Sequence, residues 1–353
     1  MDLILSYVNG TWLGMPIWAW LSFLLIVLTM LAVDLGIFHR EAHTPSMTES
    51  IVIASTAMTL GLSFSIVVWW LYYSGAANSL DPVIAAAATP SERAWVAWEL
   101  YLTGWVVEQT LAFDNVFVIS MIFTYFAIPP KYQHRVLFYG ILGVIVLRAI
   151  MIGLGAALVH EFGWILYFFS AFLIFTGIKM MMMADQKMDL ENNPLLLWMR
   201  KRMRVTKELH GQNFFVNLPD TKTGRVVRHA TPLFLALVLI EFADLIFAVD
   251  SVPAIFAITQ DPFIVYTSNI FAILGLRALY FVLSAMVDRF HYLKYALALV
   301  LVFVGAKIFV QQIIGKIPPV VSLSVIMTLL IGGIVYSLIK TRHSGSPKAA
   351  DQA

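Results

Sequence analysis

The sequence predicts an all-α integral membrane protein with about nine transmembrane helices that contain two inverted three-helix repeats. Three observations predict this fold class. Hydrophobic residues make up 60% of the 353 residues and charged residues only 12%, against roughly 25% charged in soluble domains. Apolar stretches recur that match the roughly 20 residues a helix needs to cross a bilayer. A matched set of charged residues also occurs twice, in the same order, within these stretches.

The predicted spans begin close to the N-terminus. The first sixteen residues carry a single charge, Asp2. A signal peptide has a basic start, so we expect the first helix to be retained. The predicted spans cover about 17–38, 51–73, 94–126, 136–159, 164–183, 231–258, 266–287, 294–314 and 319–339.

The distribution of lysine and arginine predicts the orientation of these helices. With the N-terminus outside, 17 of the 23 Lys and Arg residues fall inside, and two, Arg93 and Lys316, fall outside. The other four lie within predicted spans. Because loops rich in Lys and Arg stay in the cytoplasm, the pattern predicts an external N-terminus and a cytoplasmic C-terminus.

Five segments follow from this topology. They are two N-terminal helices over 1–93, a first three-helix repeat over 94–184, a basic cytoplasmic loop over 185–230, a second three-helix repeat over 231–315, and a last helix with a cytoplasmic tail over 316–353. Within the loop, 195–204 predicts a basic helix at the membrane surface. The apolar runs at 214–218 and 225–227 predict a small hairpin.

An internal repeat relates two of these segments. Three pairs of motifs recur in order: Leu111-Ala-Phe-Asp114 with Phe247-Ala-Val-Asp250, Leu147-Arg148-Ala149 with Leu276-Arg277-Ala278, and Leu-x-Phe-x-Gly-x-Lys at 173–179 and 301–307. Each copy covers three predicted helices. An odd number of spans places the two copies in opposite orientations, as in many secondary transporters, whose substrate sites lie near the membrane midplane.

Acidic residues within apolar stretches are the candidate functional residues. A charged side chain at a helix centre costs about 2.5–3.5 kcal/mol on an insertion scale, so a group of such acids needs an explanation. The candidate metal ligands are these acids, with an amide and a hydroxyl on the same helix stripes: Glu108, Asp114, Asn115, Glu241, Asp244, Asp250 and Ser251. The alternative is that the acids form structural ion pairs with bases in the spans. The candidate supporting bases are Arg148, Arg277, Lys179 and Lys307.

The chemistry of the candidate ligands favours a hard cation. Carboxylate, amide and hydroxyl oxygens suit Mn²⁺, Mg²⁺ or Ca²⁺ rather than Zn²⁺ or Cu⁺. The chain has no cysteine, and its eight histidines fall in loops or at span ends. Pro253 follows Asp250 by three residues and predicts a helix interruption that frees a backbone carbonyl near Val249. A simple packing kink at Pro253 is the alternative.

Other classes of function receive no support from motifs. The sequence contains no phosphate loop, nucleophile elbow or zinc-protease helix. Without cysteine or histidine inside the spans, a membrane redox enzyme that holds haem is disfavoured. We therefore expect no enzyme activity, no resident cofactor and no nucleic-acid partner, and we expect the partners to be the lipid bilayer and a divalent cation.

Three segments resemble the signature segments of the TerC family. They are EQTLAFDN at 108–115, EFADLIFAVDSVPA at 241–254 and TSNIFAILGLRA at 267–278. The likeness to the bacterial Alx branch of the family runs from the first span to the last. The resemblance implies a bacterial inner-membrane protein tied to manganese export and tolerance, with the acids as metal ligands. It also implies a fold like that of the LysE-type exporters, and it carries an older association with tellurite resistance.

Two functions therefore stand as expectations. The first is a transporter that exports Mn²⁺ from the cytoplasm through a midplane site of acidic residues. The residues alone indicate a cation transporter, and the choice of Mn²⁺ rests mainly on the resemblance. The second is a membrane accessory protein that supplies metal to exported proteins or acts in tellurite or envelope stress, for which the basic loop over 185–230 could dock a partner.

Overall fold

The computed structural model describes residues 10–36, 46–182, 190–191, 193–219, 225–284, 292–315 and 317–344. Helices dominate this part of the chain, and two short antiparallel strand pairs accompany them. In chain order the elements are β1 (Thr11–Trp12), β2 (Met15–Pro16), α1 (Ile17–Gly36), α2 (Met47–Tyr73), α3 (Pro82–Ala85), α4 (Pro90–Tyr125), α5 (Pro130–Glu161), α6 (Ile165–Met182), α7 (Pro194–Arg202), β3 (Phe215–Pro219), β4 (Val226–Ala230), α8 (Pro232–Ile258), α9 (Pro262–Leu274), α10 (Leu276–Ser284), α11 (Leu293–Ile314) and α12 (Pro319–Ser344).

Seven of the described helices are long and apolar enough to cross a membrane, namely α2, α4, α5, α6, α8, α11 and α12. This confirms a multi-pass helical protein, but not the predicted count of about nine spans. The apolar part of α1, Ile17–Val33, is shorter than any of these seven helices. The stretch predicted as one span over 266–287 is divided, because α9 ends at Leu274 and α10 begins at Leu276.

Local sequence signals set where the helices begin. Proline starts α4, α5, α8, α9 and α12, where its missing N–H group would have had no partner within the helix. Thr89 caps α4, and Glu92 completes a capping box with it. Ser46 and Glu49 form the same box at the start of α2. Each box satisfies backbone N–H groups that a helix start leaves free, so these boundaries follow from a few neighbouring residues.

The helix interruption predicted at Pro253 is not observed. Helix α8 continues through Pro253 to Ile258, and every residue from Ser251 to Ile258 is buried. Proline removes one hydrogen bond from the helix, but tight packing against neighbouring helices can keep such a segment helical. The break in the second repeat lies instead at Gly275, between α9 and α10.

The two predicted repeats pack against each other in a reciprocal way. The first helix of each copy contacts the second helix of the other, since α4 packs on α9 and α8 packs on α5. The third helices, α6 and α11, pack together. A two-fold relation between the copies would produce this pattern, while the inversion of one copy across a membrane stays a prediction.

Glycines of the repeated Leu-x-Phe-x-Gly-x-Lys motif explain the contact between α6 and α11. A Cβ atom at Gly177 would lie 2.7 Å from the carbonyl oxygen of Ala298, and one at Gly305 would lie 2.6 Å from that of Ser170. Both distances are too short for a real side chain. The motif therefore recurs because each helix needs a glycine where the backbone of the other approaches it.

Two elements predicted between the repeats are observed, while the position of the basic helix at the membrane surface stays a prediction. Helix α7 covers most of the predicted basic helix, and strands β3 and β4 form the predicted hairpin, with Phe215 opposite Ala230. Residues 220–224 of its turn lie outside the described residues. We call the end of the bundle that carries α7 and this hairpin the basic end, and the end where α2 finishes and α4 begins the opposite end.

Candidate functional site

Arg148 lies at the centre of the candidate site. Its side chain is only 1% exposed and extends from the middle of α5 to acids on two other helices. It forms an ion pair with Glu108 of α4, and its Nη2 atom lies 3.3 Å from Oδ1 of Asp244 on α8. Both acids are buried as well. One guanidinium thus joins three helices through two carboxylates.

Neutral polar side chains complete this cluster. Asn269 of α9 donates to Oε2 of Glu108 at 2.9 Å, and its own Oδ1 accepts from Arg148 at 3.2 Å. Ser251 accepts from Arg148 at 3.4 Å, and Asn115 donates to Asp244 at 3.2 Å. In the low dielectric of a protein interior, unpaired polar groups are costly, so these contacts hold the four helices in one arrangement.

Asn269 is a site residue that the sequence did not predict. The predicted ligands are acids, with an amide and a hydroxyl on the same helix stripes as the acids, and Asn269 lies in a stretch without an acid. A usable signal was nevertheless present, since an amide in an apolar stretch must find a hydrogen-bond partner among its neighbours. The structure shows that α9, the first half of the divided span, brings this amide to Glu108 and Arg148.

A cavity of about 40 Å³ lies beside the cluster. A cavity of about 10–15 Å³ can hold one water molecule, so this one accommodates a few waters or a small ion. Its polar lining consists of Asn115, Arg148, Thr176, Asp250 and Ser251. The Oδ1 atom of Asn115 is buried and has no hydrogen-bond partner among the described residues. The lining of the cavity therefore includes a carboxylate and a residue whose amide oxygen has no partner among the described residues.

A second cavity of about 20 Å³ lies on the other side of Asn115, and Asp244 and Gly140 help to line it. Glu241 is half-buried nearby, with its carboxyl group against Gly143, where any larger residue would collide with it. The Oε2 atom of Glu241 has no partner among the residues described. The second cavity extends from the cluster towards the basic end, because its lining includes Leu137, close to the start of α5.

The predicted supporting bases separate into different environments. Of the bases whose side chains are described, Arg148 alone lies among the buried acids. Lys179 is exposed and acts electrostatically on Asp250, whereas Lys307 is buried and lies near Asp81, at the opposite end. The side chains of Asp114 on α4 and Arg277 on α10 lie outside the described part of the structure.

The predicted ligands whose side chains the structure describes do not form a single coordination shell. Among the described residues, no three histidine or acidic side chains are grouped so that they could hold a metal ion. Glu108 and Asp244 bind Arg148 instead, while Asp250 and Ser251 face the larger cavity. The ligand roles of these residues therefore stay predictions. In the described geometry, Glu108 and Asp244 form ion pairs with a base, whereas Asp250 lines a cavity.

Comparisons with known proteins add an independent observation. Residues 93–345 match the model of the family described as "Integral membrane protein TerC family". The chain is 43% identical over 332 residues to an Escherichia coli K12 protein named "Putative membrane-bound redox modulator Alx", which covers 94% of this chain and 97% of the relative. It is 44% identical over 319 residues to a Salmonella typhi protein of the same name, covering 90% and 92%. A Rickettsia bellii "Uncharacterized membrane protein" is 43% identical over 322 residues, covering 91% and 97%. No solved structure matches the chain.

Proposed function

Because the chain belongs to the TerC family of integral membrane proteins, we propose that it is a transporter that exports a divalent cation, Mn²⁺, from the cytoplasm. The observation that carries this proposal is an excess of acid at the centre of the helix bundle. The support comes from three features, which are the charge balance, the cavity beside Arg148 and the position of the basic end.

The charge balance favours a divalent cation as the missing partner. At their usual charges, the acids in the central region outnumber the bases by four to two: Glu108, Glu241, Asp244 and Asp250 against Arg148 and Lys179. Uncompensated charge in such surroundings is expensive, so a cation of charge two restores neutrality. The count refers to the side chains that the structure describes, which do not include those of Asp114 and Arg277.

The larger cavity is the proposed seat of the ion. Asp250 supplies a carboxylate, and Asn115, Ser251 and Thr176 supply neutral oxygens on the same walls. Hard cations such as Mn²⁺ prefer ligands of this kind and keep several waters. One carboxylate with neutral oxygens and waters binds weakly enough to release the ion, which a transporter requires.

Arg148 has a separate role in this proposal. It satisfies Glu108 and Asp244 while the seat is empty, and so limits repulsion between the acids. A cation that enters next to Asn115 competes with the guanidinium for Asp244, because Asn115 contacts Asp244 directly. Ion binding is thereby linked to the contacts that hold α4, α5 and α8 together.

The choice of metal and the direction of transport do not follow from the geometry of the site. The oxygen ligands are compatible with Mn²⁺, Mg²⁺ and Ca²⁺ alike, and the choice of Mn²⁺ follows from the resemblance to the TerC family. The proposal of export rests on the same resemblance, together with a charge distribution that predicts a cytoplasmic position for the basic end.

Flux measurements in vesicles that contain the purified protein test the proposal. Loading the lumen with Mn²⁺, Mg²⁺, Ca²⁺ or Zn²⁺ in turn should reveal flux of Mn²⁺ and little flux of Zn²⁺. Glu161→Gln is the control variant, since Glu161 is an exposed acid at the end of α5 and should transport normally. Mn²⁺ flux no faster than in protein-free vesicles would exclude transport by this protein.

The second candidate is an accessory role in metal supply or redox balance. It is favoured by the name "redox modulator" of the Escherichia coli relative and by exposed basic residues on α7, among them Arg200 and Lys201. The chain has no cysteine, so an effect on thiol redox state would have to act through a partner. Deleting 185–230 would separate the accessory role from the transporter function. The proteins that co-purify with the full chain and with the deletion variant are compared. Loss of a partner with normal Mn²⁺ flux would support the accessory role.

A further inference from the structure

Two loops at the opposite end of the bundle carry the same short motif. Ser79-Leu-Asp-Pro82 precedes α3, and Thr259-Gln-Asp-Pro262 precedes α9. In each, the aspartate caps its helix by accepting hydrogen bonds from the N–H groups two and three residues later. The hydroxyl residue of each motif also accepts from the N–H group of its own aspartate, at 3.1 Å. The two loops are therefore built alike.

The motifs also bind each other reciprocally. The hydroxyl of Ser79 donates to Oδ2 of Asp261 at 2.6 Å, and the hydroxyl of Thr259 donates to Oδ2 of Asp81 at 2.7 Å. The backbone N–H of Gln260 donates the third cross-loop hydrogen bond, also to Oδ2 of Asp81, at 2.8 Å. We call this set of cross-loop bonds the clasp. Both aspartates are buried, so the clasp closes the bundle at this end.

We infer that the clasp is the gate at the opposite end of the ion route, and that it must open for the ion to leave. This inference rests on the proposed function, which requires access from both ends. The two cavities lie at the cluster and towards the basic end. Between the clasp and Asn269, the first residues of α9, Phe263, Ile264 and Val265, are fully buried in apolar surroundings. The described residues are thus tightly packed on the side of the clasp.

The clasp differs from a permanent apolar seal in how it can open. Its bonds are polar and lie next to exposed parts of the same loops, since Leu80 is exposed and Ser79 is only half-buried, while Asp81, Thr259 and Asp261 are buried. Water that enters when the loops separate can replace these polar partners, which it cannot do for an apolar contact. Gly75, in the loop after α2, has a φ of +74°, and the space where a side chain would lie is empty. It can therefore act as a hinge.

Helix α9 links the clasp to the ion site. It is 13 residues long, capped by Asp261 at one end and separated from α10 at Gly275 at the other. A short helix between two joints can move as a unit. Because Asn269 on this helix contacts both Glu108 and Arg148, opening of the clasp would disturb the central cluster. The reverse also holds, so ion binding at the cluster can favour opening.

The test uses a thiol reporter, because the chain has no cysteine of its own. Ser268→Cys places a thiol on α9, where the side chain is fully buried against Gly104 of α4. Its reaction with a membrane-impermeant maleimide, added from the side of the clasp, reports opening without any metal. Ser79→Ala and Thr259→Ala should each make labelling several-fold faster. Thr259→Ser keeps the hydroxyl and should restore slow labelling.

Ser74→Ala is the matched control. Ser74 is an exposed residue in the same loop, and its hydroxyl bonds only to the carbonyl of Leu71. Labelling of the Ser79→Ala and Thr259→Ala variants at the rate of this control would overturn the gate. The proposed function is judged separately by Mn²⁺ flux. Faster labelling in a protein that moves no Mn²⁺ would show that the clasp opens and would exclude the proposed transporter function. Unchanged labelling in a protein that moves Mn²⁺ would exclude the gate and support the transporter function.

A second variant covers the case in which alanine substitutions prevent accumulation of the protein. Leu80→Cys with Gln260→Cys places one thiol in each loop and keeps both hydroxyls of the clasp, since Gln260 contributes only its backbone N–H. A cleavable bifunctional thiol reagent can then join the loops. Joining them should stop Mn²⁺ flux, and cleaving the reagent should restore it. Leu80→Cys alone, treated in the same way, is the control. Flux that continues at an unchanged rate after the loops are joined would refute the gate.

Discussion

At the scale of single residues, the acids of the central region differ in what they contact. Glu108 bonds to Arg148 and Asn269 and has little room for another partner. Asp250 lines the larger cavity, and the base that acts electrostatically on it is the exposed Lys179. Substitution of these two acids should therefore have different consequences for folding and for transport.

For Asp250→Asn we expect normal abundance in the membrane and loss of Mn²⁺ export. The amide keeps the shape of the side chain but removes the charge that offsets dehydration of the ion. The sequence predicts the same for Asp114→Asn. Quantifying the protein in membranes and the Mn²⁺ content of cells together checks this. A depleted Asp250→Asn protein, beside a normal Glu161→Gln control, would show that Asp250 is structural.

For Arg148→Ala we expect a large loss of stability. Removing one partner of a buried ion pair costs about 3–5 kcal/mol, because the other charge stays buried without compensation. The variant should accumulate poorly and unfold at a lower temperature in detergent. Adding Glu108→Gln and Asp244→Asn removes the stranded charges and should recover abundance but not Mn²⁺ flux. If Arg148→Ala alone is as stable as the unmodified protein, Arg148 does not hold the cluster together.

At the scale of elements, close packing of α6 on α11 should control stability. Gly177→Ala and Gly305→Ala would each place a methyl group against the backbone of the partner helix. Overpacking of this kind costs about 1–3 kcal/mol, so the unfolding temperature in detergent should fall. Gly332→Ala is the control, because Gly332 in α12 has no atoms near the position of an added Cβ. Equal unfolding temperatures for all three variants would contradict the proposed tight contact.

The short helix α9 shows how an element can depend on a distant part of the chain. Its capping residue, Asp261, is buried, and burial raises the pKa of this carboxyl while the hydrogen bond from Ser79 counters the shift. The cap that starts the helix therefore depends on the loop before α3. This dependence explains why a helix of 13 residues can stand between two breaks in the chain.

At the scale of the whole molecule, the charge distribution predicts one orientation in the membrane. Gly163→Cys and Ser74→Cys lie in exposed loops at the opposite end, and Glu208→Cys lies in an exposed loop at the basic end. In right-side-out spheroplasts, an impermeant maleimide should label the first two thiols directly. The thiol at 208 should react only after the membrane is permeabilised, because the charge distribution predicts that the basic end faces the cytoplasm. Direct labelling at 208 would reverse the proposed direction of transport.

The sequence by itself determined the class of the molecule and most of its elements. Hydropathy locates a helix within one stretch of chain, and proline and capping residues set several of its ends. The same local information located the acids in apolar stretches and the recurring motifs. It misjudged the region from Pro253 to Leu276, where the chain continues through a proline and breaks at Gly275 instead.

Only the tertiary structure decided which of these residues meet. Arg148 could have paired with any of several acids, and its contacts with Glu108 and Asp244 follow from how α4, α5 and α8 pack. Ser79 bonds to Asp261 across 182 positions in the chain. No periodicity along the sequence encodes such a contact. The packing of helices sets it, since a hydrogen bond requires its two atoms to lie within about 3 Å of each other.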